Sequence, residues 1–554
     1  MINPSAMSVK SIYPFSRAVV SLLQFNILLA LWMSSAVNIH FYQAIRALTS
    51  FQGLAADGFV LVTGVVIFAY YLLVLQLLSW RFNAKWLATL LIVISAMGNY
   101  FVAELGIAIN QEQIMNMLQT DLHEALDLVS WRAMELTLLT IVVPLIFIWR
   151  LSVSTAPLRQ TLLHKLVASL LALVVVLGLV FTYYAQYAPM FREHRDLKQQ
   201  LNPHNSLSGL MSYAKHSLHL SAKPLLAFGR DAHLTTPPAS APRILVLVVG
   251  ETARAESFGL NGYARPTNPE LSQLDVINFS KVSSCGTETA ISVPCMFSGM
   301  PRKDYDESLA SHREGLLDIA QRAGYQVTWI DNNSGCKRTC DRVARFALPL
   351  ALQQAWCDNG ECHDELLVAS LDAYLKQLAN QPHVRNQLIV LHQIGSHGPA
   401  YYKRYPARFN QFKPACDTNA IQNCSHASLI NSYDNTVLYT DHILASIIGQ
   451  LQQQKGYQTA MWYLSDHGES TGEHGLYLHG TPYVIAPSQQ THIPMLMWFS
   501  QQWQQQAPKL LPCLKAQQTR PRSQDNLFPS LLSILAIKSQ VINPQLDMLS
   551  LCHA

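Results

Sequence analysis

The 554-residue sequence predicts two folds in one chain. An α-helical membrane domain of five transmembrane helices comes first, and an α/β domain with a mostly parallel sheet follows. Three observations predict this. Only 13% of residues are charged while 50% are hydrophobic, against about 25% charged in soluble domains. The long apolar stretches all fall before residue 185. Short β-type apolar runs separated by helical stretches begin at Arg243. A net charge of +4 is too small to argue for a nucleic-acid partner.

A membrane-spanning helix needs about 20 mostly apolar residues. Five stretches qualify: Val19–Ile39, Phe59–Ser79, Trp86–Leu105, Met134–Arg150 and Leu166–Tyr184. The fourth is short and contains Pro144, so a buried soluble helix is its alternative. No small-residue cleavage site follows the first, which reads as an anchor rather than a removed signal peptide. Lys and Arg accumulate on cytoplasmic flanks. With the N-terminus inside, the inner flanks carry Lys10, Arg17, Arg81, Lys85, Arg150, Arg159 and Lys165, and the outer loops only Arg46 and Arg132. The loop between the third and fourth stretches is acidic, with Glu112, Asp121, Glu124 and Asp127. Five spans place everything after about residue 185 outside the cytoplasm, in a bacterium the periplasm. Residues 1–185 are therefore the membrane domain. Residues 186–240 read as an amphipathic linker closed by the proline-rich TTPPASAP, and 241–554 as the periplasmic domain.

All ten cysteines lie at or beyond Cys285. They fall in close pairs, Cys285/Cys295, Cys336/Cys340, Cys357/Cys362 and Cys416/Cys424, leaving Cys513 and Cys552 as a fifth pair by default. An even count in an oxidising compartment suggests disulfides. The run SSCGTETAISVPC (283–295) encloses threonines and serines between two cysteines. A zinc knuckle, a plain loop and a staple holding a nucleophile all remain open for it.

In the second half, ILVLVV (244–249) and the runs 327–330, 388–391 and 460–464 suit strands buried on both faces. Helical stretches at 365–378 and 435–452 separate them, which argues for helices on both faces of the sheet. Ligands of open parallel sheets bind beyond the carboxyl ends of the strands. There the sequence places Glu251 and Thr252, then His397, then Asp466, His467 and Glu469, with His479 further on. Glu251, Asp466 and His467 offer a zinc ion three ligands from two strands, and a hydroxyl from the 283–295 run could be the fourth. A threonine hydroxyl is a poor nucleophile until something activates it, and metal coordination is one way.

Taken in order, GETAR (250–254), NGY (261–263), CGTET (285–289), SVPCMF (292–297), SHGP (396–399) and SDHGES (465–470) resemble the lipid A phosphoethanolamine transferases. That family includes the mobile colistin-resistance enzymes and belongs to the alkaline phosphatase superfamily. The resemblance implies an alkaline-phosphatase/sulfatase-like catalytic domain. It implies that Thr289 is the nucleophile, and that Glu251, Asp466 and His467 with Thr289 bind one tight zinc ion. A second, looser zinc or the phosphoryl group would meet His397 and His479. Ser334 and Lys337 of NNSGCK, and Asn116, Thr120 and Glu124 of the acidic loop, would bind the donor. By spacing alone Thr287 competes with Thr289; the alternative for Lys337 is a solvated loop charge, and for the Asn116 group an ordinary polar helix face. Gln524 stands where many family members carry histidine.

The implied activity is transfer of phosphoethanolamine from phosphatidylethanolamine to a lipid A phosphate through a phosphoethanolamine-threonine intermediate. Lower surface charge, and with it polymyxin resistance, would follow. The implied partners are those two lipids and the surrounding membrane, with the chain acting as a monomer in the bacterial inner membrane. A lipopolysaccharide core sugar or a protein as acceptor, or water in a phosphodiesterase, are the alternatives. No Cys-x-Pro-x-Arg or Ser-x-Pro-x-Arg run supports sulfatase chemistry. A binding protein on a degenerate phosphatase fold would have lost some of the ligand set, which is intact.

Overall fold

The computed structural model describes residues 18–107, 109, 111–119, 129–154, 156–220, 223–235, 241–358, 361–380 and 385–552. The chain divides into two compact units. One comprises residues 1–103 and 132–208, the other 104–131 and 209–554.

The first unit is helical. Leu54–Leu78, Ala84–Glu104, Ala133–Arg150 and Leu158–Thr182 are each long and apolar enough to cross a membrane. Leu22–Ser35 and Ile39–Leu48 form a pair bent by 55°, and counting the pair as one span gives five among the described residues. The bend interrupts the stretch read as one helix over 19–39. At the break the buried Asn38 amide donates to the carbonyls of Met33 (2.7 Å) and Asn202 (2.8 Å). These bonds satisfy polar groups that a continuous helix would have used internally. In Ala133–Arg150 a π-helical turn, Leu138–Val142, precedes Pro144. The wider turn accommodates a residue that has no N–H for the helical ladder. Lys165 donates to the carbonyls of Gln76 and of Ser79 (2.7 Å), at the end of Leu54–Leu78. A cation there answers unpaired carbonyls and the negative end of the helix dipole.

The second unit is built on an eight-stranded sheet. In chain order its strands are β1 (Arg243–Gly250), β2 (Ile277–Ser283), β3 (Gln326–Asp331), β4 (Ala344–Arg345), β5 (Gln387–His392), β6 (Gln458–Ser465), β7 (His492–Phe499) and β8 (Arg522–Ser523). Across the sheet the order is β8-β2-β7-β6-β1-β5-β3-β4. Every strand runs the same way except β7, which is antiparallel to both its neighbours. The central strands β1, β5 and β6 are buried along almost their whole length, as continuous apolar runs require. Helices such as Leu316–Arg322 and Leu527–Ile534 bury apolar faces in the same core.

Register decides what meets at the carboxyl edge. Ser465 of β6 pairs with Gly250 of β1, and His392 of β5 pairs with Val249. Glu251 and Asp466, each the next residue of its chain segment, therefore emerge side by side. Five disulfides close in this unit: Cys285–Cys295, Cys336–Cys340, Cys357–Cys362, Cys416–Cys424 and Cys513–Cys552.

Candidate active site

Glu251, Asp466 and His467 are fully buried, and their ligand atoms all lie within 4.8 Å of one another. Neighbouring backbone groups hold each one. The amides of Thr252 (3.2 Å) and His467 (2.6 Å) donate to Asp466 Oδ1. His467 Nδ1 faces the carbonyl of Gly468 at 2.9 Å, which directs Nε2 into the cluster. That nitrogen lies 3.4 Å from Glu251 Oε1 and 3.4 Å from Asp466 Oδ2.

Glu251 Oε1 and Asp466 Oδ2 are buried and have no hydrogen-bond partner among the described residues. Two unpartnered carboxylate oxygens turned towards one imidazole nitrogen are costly in a low-dielectric interior unless a cation sits among them. Without a cation, ionisation is pushed apart. Burial drives Glu251 up, but the nearby imidazoles of His467, His397 and His479 outweigh it and hold the group below the ordinary carboxylate range. Burial, and then the charge of Glu251, push Asp466 well above that range. Burial, and then His479, lower His467 against the pull of Glu251, which raises it. Oxygen and imidazole donors in this arrangement suit zinc, so the residues present fit the metal that the resemblance implies.

Thr289 begins the helix Thr289–Ser298, which follows β2 on the same edge of the sheet. Its Oγ1 donates to Glu251 Oε2 at 3.1 Å and lies 3.4 Å from His467 Nε2. The Thr287 hydroxyl instead donates to the carbonyl of Thr481 at 2.7 Å. Of the two threonines, Thr289 is the one that reaches the cluster. The Cys285–Cys295 disulfide ties the loop before this helix to its second turn.

Other residues singled out from the sequence take the following places. His397, His479 and His467 form a row, with ring centroids 5.3 Å and 4.5 Å apart. His479 Nδ1 lies 3.4 Å from the buried carboxylate of Glu469. Lys337 Nζ donates to Ser334 Oγ at 3.0 Å. Asn116 lies on the helix Gln111–Gln119. That helix comes up against the loop carrying His479: a Cβ on Gly480 would stand 3.0 Å from Gln113 Oε1 and 3.6 Å from Glu288 Oε2. Thr120 and Glu124 lie outside the described residues.

Three further residues, to which the sequence alone assigned no role, support the site. Asn333, adjacent to Ser334, donates through Nδ2 to Glu251 Oε2 (2.9 Å) and to the carbonyl of Gln393 (2.7 Å). It lies in NNSGCK, but asparagines in such loops are common and nothing marked this one. Gln524 bridges two parts of the site. Its Nε2 donates to the carbonyls of Ser465 (2.8 Å) and Asp466 (2.7 Å), and its Oε1 accepts from the Cys285 amide (2.7 Å). Gly395 has a φ of +51°, and a Cβ there would lie 2.6 Å from the carbonyl oxygen of Glu251. The glycine permits β5's following loop to lie flat against the ligand.

Comparison with known proteins gives a consistent result. Residues 243–537 match the sulfatase family, and residues 67–218 match the family described as phosphoethanolamine transferase EptA/EptB. The phosphoethanolamine transferase EptA of Escherichia coli strain K12 is 41% identical over 97% of this chain and 98% of its own length. The phosphatidylethanolamine transferase Mcr-1 of Escherichia coli is 37% identical over 85% of this chain and 88% of its own. The solved integral membrane lipooligosaccharide phosphoethanolamine transferase A of Neisseria meningitidis superposes with a TM-score of 0.92 at 36% identity, covering 97% of this chain and 99% of that one.

Proposed function

The chain belongs to the EptA-type phosphoethanolamine transferases of the alkaline phosphatase superfamily, and from that premise we propose a zinc-dependent transfer of phosphoethanolamine from phosphatidylethanolamine to a lipid A phosphate, carried by Thr289. It is a multi-pass inner-membrane enzyme whose catalytic domain lies in the periplasm. The observation that carries the proposal is the placement of Thr289 Oγ1 against Glu251 and His467 in a buried cluster with two unpartnered carboxylate oxygens.

Glu251, Asp466 and His467, with Thr289 itself, would hold the zinc. Bound there, the cation would supply Lewis-acid stabilisation of the threonine oxygen and of charge on the phosphoryl oxygens. The protein's own groups do the rest. Asn333 fixes Glu251, and the amides of Thr252 and His467 fix Asp466. In the first step Thr289 Oγ gives up its proton, Glu251 Oε2 standing at hydrogen-bond distance. The oxygen then bonds to the phosphorus of phosphatidylethanolamine, and the bond from phosphorus to the glycerol oxygen breaks. Diacylglycerol departs with a proton from His397 or His479, which line the same centre. In the second step a lipid A phosphate oxygen bonds to that phosphorus, the bond to Thr289 Oγ breaks, and the threonine recovers a proton. Lys337 and Ser334 bind the donor phosphate, and Asn116, with Thr120 and Glu124 of the acidic segment, lines the phosphoethanolamine site. The product carries an added ammonium group, so the outer surface is less anionic and binds cationic peptides and polymyxins less tightly.

Mass spectrometry of lipid A from cells with and without the protein tests this. The expected result is a gain of one phosphoethanolamine unit, absent with Thr289→Ala. Unchanged lipid A beside a modified core sugar or protein would move the acceptor, and a fully active Thr289→Ala would overturn the mechanism.

A further inference from the structure

A cavity of about 460 Å³ lies against the helix that begins with Thr289. Ala290, next to the nucleophile, and Pro294 line it, with Met115, Phe297 and Leu317 adding apolar wall. Its cationic side chains are Arg313, Lys337, Arg338 and Arg342, against the carboxylates of Glu307 and Glu314.

Most of these charges are already engaged. Glu314 pairs with Arg322 at 2.6 Å. Arg342 makes a two-point contact with Asp318, at 2.7 and 2.8 Å. Arg313 donates to the carbonyl of Ser298 and lies over the Phe228 ring. Lys337 is turned onto Ser334. Arg338 is different. It is exposed, and its guanidinium makes no hydrogen bond or ion pair among the described residues. Tyr305 lines the same cavity, and its buried hydroxyl has no hydrogen-bond partner among the described residues. A fork of N–H donors and a hydroxyl donor, neither bonded to an acceptor among the described residues, thus border one space.

The backbone holds that fork in an uncommon way. Lys337 (φ +47°) and Arg338 (φ +70°) are both left-handed, following Gly335 at +87°. L-residues avoid this region, and two together persist only where surrounding structure imposes them. Here the Cys336–Cys340 disulfide encloses both.

We propose that this cavity is the acceptor subsite, in which Arg338, with Tyr305, binds a second sugar phosphate of the glycolipid while its first phosphate meets Thr289. The inference rests on the acceptor reading above. Charge selects this occupant. The donor has a single phosphate, which must lie at Thr289, and the rest of it is neutral diacylglycerol and a cationic ethanolamine, so it offers a guanidinium no second anion. A disaccharide phosphorylated at both ends presents its second anion one headgroup away, and guanidinium forks bind phosphate bidentately.

Full-length enzyme in detergent micelles tests it, with bisphosphorylated and monophosphorylated lipid A as separate acceptors. Arg338→Gln should raise KM for the bisphosphorylated lipid about tenfold, the scale of one charged hydrogen-bonding contact. It should leave kcat, and KM for the monophosphorylated lipid, within about twofold. Arg338→Lys should recover part of the loss. The burst of diacylglycerol released on loading Thr289 should not change. An unmoved KM in an otherwise active Arg338→Gln enzyme overturns this proposal alone. A matching fall in the diacylglycerol burst also overturns it, by assigning the cavity to the donor. Wild-type enzyme that releases diacylglycerol but modifies neither lipid overturns the acceptor reading and this inference with it.

Discussion

Asn333 offers the sharpest test of how the centre is organised. Its amide makes two bonds, to Glu251 Oε2 and to the Gln393 carbonyl, and so couples the loop after β3 to the ligand after β1. Asn333→Ala removes a neutral donor from a carboxylate that is only 1% exposed, and no water replaces it easily. A hydrogen bond to a charged group is worth about 1.5–3 kcal/mol, or about 10- to 150-fold in an equilibrium constant. Partners that orient metal ligands have the same range, about 10–100-fold in affinity or activity. Zinc affinity and kcat/KM should therefore fall together by about one to two orders of magnitude. Asn333→Asp keeps the shape but sets a third carboxylate beside Glu251, and should lose more activity than the alanine variant. Zinc affinity is measured by competition with a chromophoric chelator, and turnover with a fluorescent phosphatidylethanolamine. Both variants retaining zinc affinity and turnover within about twofold of wild type would refute the argument.

The remaining predictions follow the same geometry. Gly395→Ala should abolish transfer, because its Cβ would stand 2.6 Å from the Glu251 backbone oxygen; zinc content and turnover on purified enzyme check this. Gln524→Ala should lower turnover at least tenfold by leaving the Ser465 and Asp466 carbonyls and the Cys285 amide without their buried partner. Gln524→His, which restores one donor and one acceptor, should retain more activity than the alanine variant in the same assay. Asp441 is buried beneath the amides of Glu270 and Leu271, and burial raises its carboxyl to about 6. Because the folded state holds this proton more tightly than the unfolded chain, the contribution is full below pH 3.8 and is lost as pH rises through 6. The difference is about 3 kcal/mol at most. Thermal unfolding of Asp441→Asn should accordingly lose less stability than wild type between pH 5 and pH 8. Chelator treatment should stop transfer and zinc should restore it; turnover unaffected by exhaustive chelation would exclude a metal role.

Local patterns made the fold class legible in the sequence. Apolar stretches about 20 residues long can satisfy their backbone in lipid only as helices, and runs such as ILVLVV tolerate burial on both faces only inside a parallel sheet. The residue types that terminate the strands were equally visible, since a carboxylate or histidine directly after an apolar run is a local fact. The bend after Ser35 was not, because it depends on Asn38 meeting the Asn202 carbonyl far along the chain.

Strand order and register lay beyond the sequence. That Gly250 pairs with Ser465, and so sets Glu251 beside Asp466, follows from how eight strands sort themselves across a sheet. Nothing in either segment encodes its neighbour. The roles of Asn333, Gln524 and Gly395 at the site exist only once those strands are adjacent, because each acts on a ligand or loop supplied by another strand. Periodicity and residue type are properties of a segment and can be read from it. A hydrogen bond between distant segments belongs to the pair, and only the folded chain brings the pair together.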